Sequence, residues 1–172
     1  MKCYICGKEA HYARQKGHEV CNRCFSNIFE KGIRRHMRIN GMFSKGDRIF
    51  VKGNVSKFLM KKILGELPVK YVADPKKADK IVLEGSMDDE NCSFIENLFN
   101  GNKVKQNKRY VSILIGAGDE EIAKFAELNG IKFVPNKKNK AVYDLLKEIS
   151  KKHTGANYTL AKNIIVLNKL TK

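Results

Sequence analysis

Apolar residues recur at spacings of three and four between residues 22 and 39, whereas later in the chain they gather in short unbroken runs. The first pattern predicts an amphipathic helix with a single apolar stripe. The members of this stripe are Phe25, Ile28, Phe29, Ile33 and Met37. The short runs predict strands at 48–52, 69–73, 80–84, 110–115 and 131–134.

Helical periodicity fills the intervals between these runs. It predicts helices at 55–67, 87–99, 120–129, 141–152 and 158–169. Because strands and helices alternate through the middle of the chain, we expect an α/β domain with a mostly parallel sheet and flanking helices.

Two Cys-x-x-Cys pairs precede and open the first helix. They are Cys3 with Cys6, and Cys21 with Cys24, separated by fourteen residues. Each pair can aim two thiolates at one tetrahedral ion, and four thiolates complete the coordination shell that zinc prefers. The pattern therefore predicts an N-terminal zinc ribbon with a structural Zn²⁺, and an iron–sulfur site stays open as the alternative.

Two further interpretations of this region concern its histidines and the redox state of its thiols. His11 and His18 lie between the cysteine pairs, and since four thiolates suffice we expect both to be exposed loop residues. A disulfide framework is disfavoured because the lysine-rich chain begins directly with a ligand residue and shows no secretory segment. We therefore expect a cytoplasmic protein with reduced cysteines.

Composition sets broad limits on the class of protein. The 172 residues suffice for a small ribbon and one ordinary domain, and 42% hydrophobic residues indicate a globular chain. No apolar run approaches the twenty residues of a membrane span, so we expect no membrane association. The formal net charge of +16 favours a polyanionic partner, for which nucleic acid is the usual candidate.

Part of this charge is concentrated on the first predicted helix. Four cationic residues fall together on the side opposite the apolar stripe and form what we call the basic face: Lys31, Arg34, Arg35 and Arg38. No carboxylate interrupts this face, and arginine makes forked hydrogen bonds to phosphate. We favour RNA phosphate contact, with an ordinary solvated helix face as the alternative.

Several segments, in the same order along the chain, resemble one enzyme family. The two cysteine pairs, the Arg34-Arg35 helix and Phe43–Ile49 are similar to the front of the PP-loop tRNA 2-thiolation enzymes. Further similar segments are Ala78–Ile81, Gly85–Glu90, Asn97–Gly101, Glu120–Ala123, Asn129–Val134 and Lys152–Gly155. The resemblance implies a reduced Rossmann-like fold of the adenine nucleotide alpha-hydrolase-like type. It also implies ATP-dependent replacement of a tRNA base oxygen by sulfur.

The phosphate-binding segment departs from the family pattern. The family has Ser-Gly-Gly-x-Asp-Ser after its first strand, whereas this chain has Lys52–Lys57, with one glycine and no aspartate. The resemblance leaves a remnant nucleotide site made of Gly53, Asn54, Ser56, Lys57, Asp88 and Asp89. In the family the aspartate pair can help to hold magnesium, but here helix capping and first-turn electrostatics explain both residues. We therefore do not expect ATP and Mg²⁺ to be retained.

The catalytic cysteines of the family also have no counterpart. Residues 72–80 contain no cysteine, the segment 135–139 contains none, and Gly85-Ser86-Met87 replaces the family's Gly-His-Asn. Without these thiols the chain lacks a sulfur carrier and a ligand set for the family's iron–sulfur cluster. The remaining cysteine, Cys92, is expected to pack in the core, and we assign no catalytic residue.

These observations divide the chain and define its expected function. We expect a zinc ribbon at 1–24, a basic linker helix at 25–46 and a degenerate PP-loop-like domain at 47–172. The function favoured is non-catalytic binding of tRNA or another RNA. The alternatives are an ATP-dependent tRNA sulfurtransferase with an altered nucleotide loop and a regulatory partner of an active thiolation-enzyme paralogue. A homodimer also stays open.

Overall fold

The computed structural model describes residues 1–13, 18–64, 68–102 and 107–170. The chain begins with a short antiparallel hairpin in which β1 (Tyr12–Ala13) pairs with β2 (Glu19–Val20). The segment 14–17 between these two strands lies outside the described residues. The chain then turns directly from β2 into the first helix.

Helix α1 (Asn22–Ile39) has the predicted apolar stripe facing the core. Phe25, Phe29, Ile33 and Met37 are buried, and Ile28 is half-buried. The ring of Phe29 stacks on that of Phe125 with 4.5 Å between centroids. Burial of these aromatic rings fixes the orientation of α1 on the rest of the chain, because a stacked pair tolerates little rotation of the helix.

The expected α/β architecture is confirmed. Among the described residues, the parallel strands of the central sheet lie in the order β4-β3-β5-β6. The strands are β3 (Arg48–Val51), β4 (Lys70–Tyr71), β5 (Lys80–Leu83) and β6 (Tyr110–Ser112). The helices that follow α1 are α2 (Asn54–Ile63), α3 (Met87–Phe99), α4 (Asp119–Leu128), α5 (Lys140–Lys152) and α6 (Ala156–Leu170). No helix in the described part of the chain is long and apolar enough to span a membrane.

Two predicted strands are wrong in whole or in part. The segment 131–134 is not a strand, because Ile131 and Phe133 pack against the core without joining the sheet. The run at 110–115 is a strand only as far as Ser112, and Ile113 and Leu114 are fully buried in the turns that follow it. A short apolar run reports burial, and burial alone does not distinguish a strand from a buried turn.

A second, smaller apolar cluster lies where α3, α5 and α6 meet. It contains Cys92, Val142 and Leu146. Burial raises the pKa of the Cys92 thiol to about 11, so this thiol is protonated at neutral pH. The prediction that Cys92 is a packing residue is confirmed.

The predicted end of α2 at residue 67 lies outside the described residues, and the described helix ends at Ile63.

Candidate metal centre and strand-end site

The two cysteine pairs converge at the start of α1. Around the first pair, the N–H of Gly7 donates to the carbonyl of Cys3 over 2.8 Å, and Gly7 adopts φ +72°. Cys21 is the N-cap residue of α1 and Cys24 lies in its first turn, so helix formation itself places the second pair. The tight turn and the helix start hold the pairs face to face.

The four thiols fit a single tetrahedral metal ion. Their Sγ atoms all lie within 4.8 Å of one another, and those of Cys6 and Cys21 are 3.6 Å apart. Four thiolates at about 2.3 Å from one zinc ion would be about 3.8 Å apart. None of the cysteines forms a disulfide. The set can therefore hold a metal ion with little rearrangement.

The thiols of the cluster differ in how readily they ionise. Burial opposes ionisation of Cys3, but backbone hydrogen bonds from the Cys21, Cys6 and Ile5 region lower its pKa to about 6. Hydrogen bonding with Cys6, together with burial, raises the pKa of Cys24 to about 12. Four thiolates this close repel one another, and a bound cation removes the repulsion.

The histidines between the pairs are both exposed. His11 lies beside β1, and the ring of His18 contacts that of Tyr4 with 4.8 Å between centroids. Among the described residues, the cluster with metal-ligand geometry contains cysteines alone. The geometry thus gives neither histidine a place among the ligands.

The basic face is exposed along the side of α1 that lies away from the core. The side chains of its four residues make no hydrogen bond or ion pair with any described residue. The neighbouring carboxylate of Glu30 is engaged by Lys62, with 2.6 Å between Oε1 and Nζ. The cationic charge of the face is therefore available to a partner, and Lys62 offsets the negative charge beside it.

The structure brings together, at the start of α2, part of the set predicted as a remnant nucleotide site. Gly53 is the N-cap residue with φ +97°, and the carboxylate of Glu84 lies against it. Glu84 Oε1 accepts hydrogen bonds from the N–H of Val55 (2.7 Å) and of Ser56 (3.0 Å). The hydroxyl of Ser56 is buried with no hydrogen-bond partner among the described residues. Lys57 is exposed and takes no part in this arrangement.

A lysine and two aspartates lie beside this helix start. Lys138 Nζ is 2.6 Å from Asp89 Oδ1 and 2.6 Å from Asp119 Oδ2, and its side chain is 7% exposed. The residue Asn136 joins the two groups, because its Nδ2 donates to the Glu84 carbonyl (3.1 Å) and to Asp89 Oδ2 (2.7 Å). We call residues 135–139 the covering segment.

The two acidic residues predicted from the sequence act as helix caps. Asp89 and Ser86 form a capping box at the start of α3, and Asp88 Oδ2 accepts from the N–H of Asp119 over 2.8 Å at the start of α4. Burial raises the pKa of Asp88. For Asp89 burial acts in the same direction, but hydrogen bonds from Lys138, Ser86 and Asn136 outweigh it and lower the pKa. The capping interpretation accounts for both carboxylates.

Four members of this site were not predicted from the sequence: Glu84, Asp119, Asn136 and Lys138. In the sequence Glu84 is only the last residue of a predicted strand, Asp119 only precedes a predicted helix, and residues 135–139 belong to no predicted element. The one usable signal was topological, since residues that follow parallel strands meet at the carboxyl edge of the sheet.

Comparison with solved structures identifies a known protein that shares the fold of this chain. No family model and no curated protein matches the sequence. Among solved structures, the chain is similar to the U34-tRNA thiolase NcsA from Methanococcus maripaludis with its 4Fe–4S cluster, at a TM-score of 0.78 and 15% identity. The match covers 98% of this chain and 87% of that one. This chain therefore has the fold of a tRNA thiolase, together with an N-terminal cysteine cluster able to hold a metal.

Proposed function

We propose that this protein is a non-catalytic, RNA-binding relative of the tRNA-thiolating enzymes, with a structural zinc ion in its N-terminal cysteine cluster. The observation that carries the proposal is the basic face of α1, whose side chains are exposed and have no hydrogen-bond or ion-pair partner among the described residues. Three of its four cations are arginines, whose planar forks suit phosphate oxygens.

The position of α1 suits this role because the helix is anchored at its start and along its apolar stripe. Cys21 at its N-cap and Cys24 in its first turn belong to the metal cluster, and Phe29 in the stripe stacks on Phe125 of α4. A helix held in this way presents its cations in a fixed arrangement. Fixed cations lose less conformational entropy when they bind phosphates than cations on a free segment would.

The cysteine content of the body supports a loss of thiolation chemistry. The solved thiolase structure contains a 4Fe–4S cluster. Outside the N-terminal set this chain has a single cysteine, Cys92, which is buried and protonated at neutral pH. One buried thiol is neither a nucleophile nor a ligand set for such a cluster.

The N-terminal geometry supports a single metal ion, for which we propose zinc, over a 4Fe–4S cluster. The Sγ separation of 3.6 Å between Cys6 and Cys21 matches two ligands of one tetrahedral ion. A 4Fe–4S cluster binds each thiolate to a different iron and so holds the sulfurs farther apart. The metal would act structurally here, since four protein thiolates leave no open position for substrate.

The test is the salt dependence of RNA binding. We expect bulk tRNA to bind the metal-loaded protein with an affinity that falls steeply with salt, and the variant Arg34→Ala/Arg35→Ala to bind roughly tenfold more weakly. Its slope of log K against log salt should be smaller by about 1 for each lost phosphate contact. Fluorescence anisotropy with labelled tRNA measures both quantities.

The matched control is Lys76→Ala/Lys77→Ala, which removes the same charge from an exposed turn far along the chain. This control should bind as the parent does. Equal losses in the two double variants, or an affinity that does not change with salt, would contradict the proposed role of the basic face.

A further inference from the structure

The N-terminus of α2 can bind an anion, and a carboxylate of the protein itself occupies this position. The first N–H groups of a helix have no partner within the helix and lie at the positive end of its dipole, so they attract anions. Here the N–H groups of Val55 and Ser56 both donate to one oxygen of Glu84. A carboxylate thus takes the position that a phosphate oxygen would take at such a helix.

The topology explains how Glu84 arrives there. β5 pairs in parallel with β3, and α2 follows directly after β3. Glu84 is the first residue after β5, so its side chain lies at the same edge of the sheet as the start of α2. The fit is close: a Cβ added to Gly53 would overlap the carboxyl group of Glu84. Glycine at this position leaves the space that the carboxylate fills.

The protein also supplies its own cation, Lys138, which Asn136 connects to Glu84. The carboxylates of Asp89 and Asp119 both contact Lys138 Nζ at 2.6 Å, so the ammonium group bridges them. Carboxylate oxygens of this kind are also the ligands that Mg²⁺ takes in proteins. Burial disfavours the charged lysine, but its hydrogen bonds to the two carboxylates outweigh burial and raise its pKa. Lys138 therefore stays charged.

Hydrogen bonds of the covering segment connect Glu84 with the ion pairs of Lys138. Asn136 donates to the backbone carbonyl of Glu84 and to the carboxylate of Asp89, and the carbonyl of Asn136 accepts from Lys138 over 3.2 Å. Movement of the Glu84 backbone would therefore disturb the contacts of Lys138 as well. Such coupled networks are lost together more readily than one bond at a time.

We propose that the chain fills the anion position at the carboxyl edge of its sheet with Glu84 and the cation position with Lys138, and that these two internal charges close the edge to polyphosphates and divalent metal. The inference goes beyond RNA binding and does not depend on it, because the basic face of α1 contributes none of these groups. It assigns to the body of the protein a closed site, held by its own charges.

The test opens the anion position. Glu84→Ala removes the internal carboxylate and leaves two unpaired N–H groups beside an empty space. We expect inorganic pyrophosphate to bind this variant at least about tenfold more tightly than the parent, because an intramolecular competitor at millimolar effective concentration is gone. Calorimetry gives the affinity, and ¹⁵N amide shifts of Val55 and Ser56 locate the site.

Two variants control for charge and shape. Asp47→Ala removes one carboxylate from an exposed turn, where Asp47 accepts from the N–H of Ser44, and so corrects for general attraction of pyrophosphate to a basic protein. Glu84→Gln keeps an acceptor at the start of α2 and should bind pyrophosphate no better than Asp47→Ala. Saturable shifts at Val55 and Ser56 in Glu84→Ala alone would support the proposal.

The cation position has its own test, which also serves if Glu84→Ala does not fold. Lys138→Met leaves Asp89 and Asp119 without their cation, and Mn²⁺ should then broaden the amide signals of these two residues, whereas Lys137→Met should behave as the parent does. In the parent itself, pyrophosphate should not shift the amides of Val55 and Ser56. Parent shifts at those amides, or Glu84→Ala and Lys138→Met behaving as their controls, would overturn the proposal.

Discussion

At the residue scale, Gly53 decides whether the start of α2 can accept a carboxylate. The residue has φ +97°, and a side chain there would occupy the space of the Glu84 carboxyl group. The positive φ and the close approach of the Glu84 carboxyl group are two separate requirements, and glycine is the residue that meets both. Gly53 thus serves the internal carboxylate of Glu84.

We expect Gly53→Ala to destabilise the protein by about 2–4 kcal/mol, because it adds backbone strain to the displacement of Glu84. Urea unfolding measures the change. Gly116→Ala is the matched control, since an added Cβ there would meet nothing within 4 Å and the φ is ordinary. The control should change the free energy of unfolding by no more than about 0.5 kcal/mol. Equal effects of the two substitutions would contradict the role assigned to Gly53.

At the element scale, the packing of α1 on α4 links the metal cluster to the sheet. Phe125 is fully buried, stacks on Phe29 and meets Phe58 edge-on with 6.1 Å between centroids. One side chain therefore joins α1, α2 and α4. The orientation of the basic face relative to the α/β body depends on this contact.

The substitution Phe125→Leu should lower the free energy of unfolding by about 1–3 kcal/mol, because it removes the ring contacts and leaves a partly filled space. Phe99→Leu is the control, as Phe99 at the end of α3 is 74% exposed and should cost about 0.5 kcal/mol or less. Denaturant unfolding followed by circular dichroism compares the two. A loss at position 99 as large as that at position 125 would show that packing is not the cause.

At the scale of the whole molecule, the hairpin and the sheet share a core. Cys3, Val20 and Cys21 belong to the same cluster of buried residues as Ile49 and Phe125. The proposed division into a ribbon at 1–24, a linker helix at 25–46 and a body at 47–172 therefore describes segments of sequence that pack on one another. Loss of the metal should therefore destabilise the α/β body as well as the ribbon.

We expect chelation of the metal to lower the thermal midpoint of the whole chain, because an ion that binds only the folded state stabilises it by mass action. Elemental analysis should give one zinc per chain, absent from Cys6→Ser and unchanged in Cys92→Ser. Calorimetry with and without chelator measures the midpoint, and added Zn²⁺ should restore it. A midpoint that ignores the chelator would mean that the metal does not support the shared core.

The sequence by itself determined the features that depend on local spacing. The pairs Cys3–Cys6 and Cys21–Cys24 converge as their spacing predicted, and the apolar stripe of α1 is buried with the basic face opposite. The alternation of apolar runs with helical periodicity was enough for the α/β class. These features could be predicted because the period of a helix and the geometry of a Cys-x-x-Cys turn are set within a few residues.

Only the tertiary structure decided which charges meet at the edge of the sheet. Glu84 reaches α2 across 29 positions, and Asn136 reaches Asp89 across 47. Residues 131–134, where the sequence predicted a strand, form a connection that packs on the core without joining the sheet. Periodicity reports whether a residue is buried, whereas the partner of a buried charge depends on where the fold places residues distant in sequence.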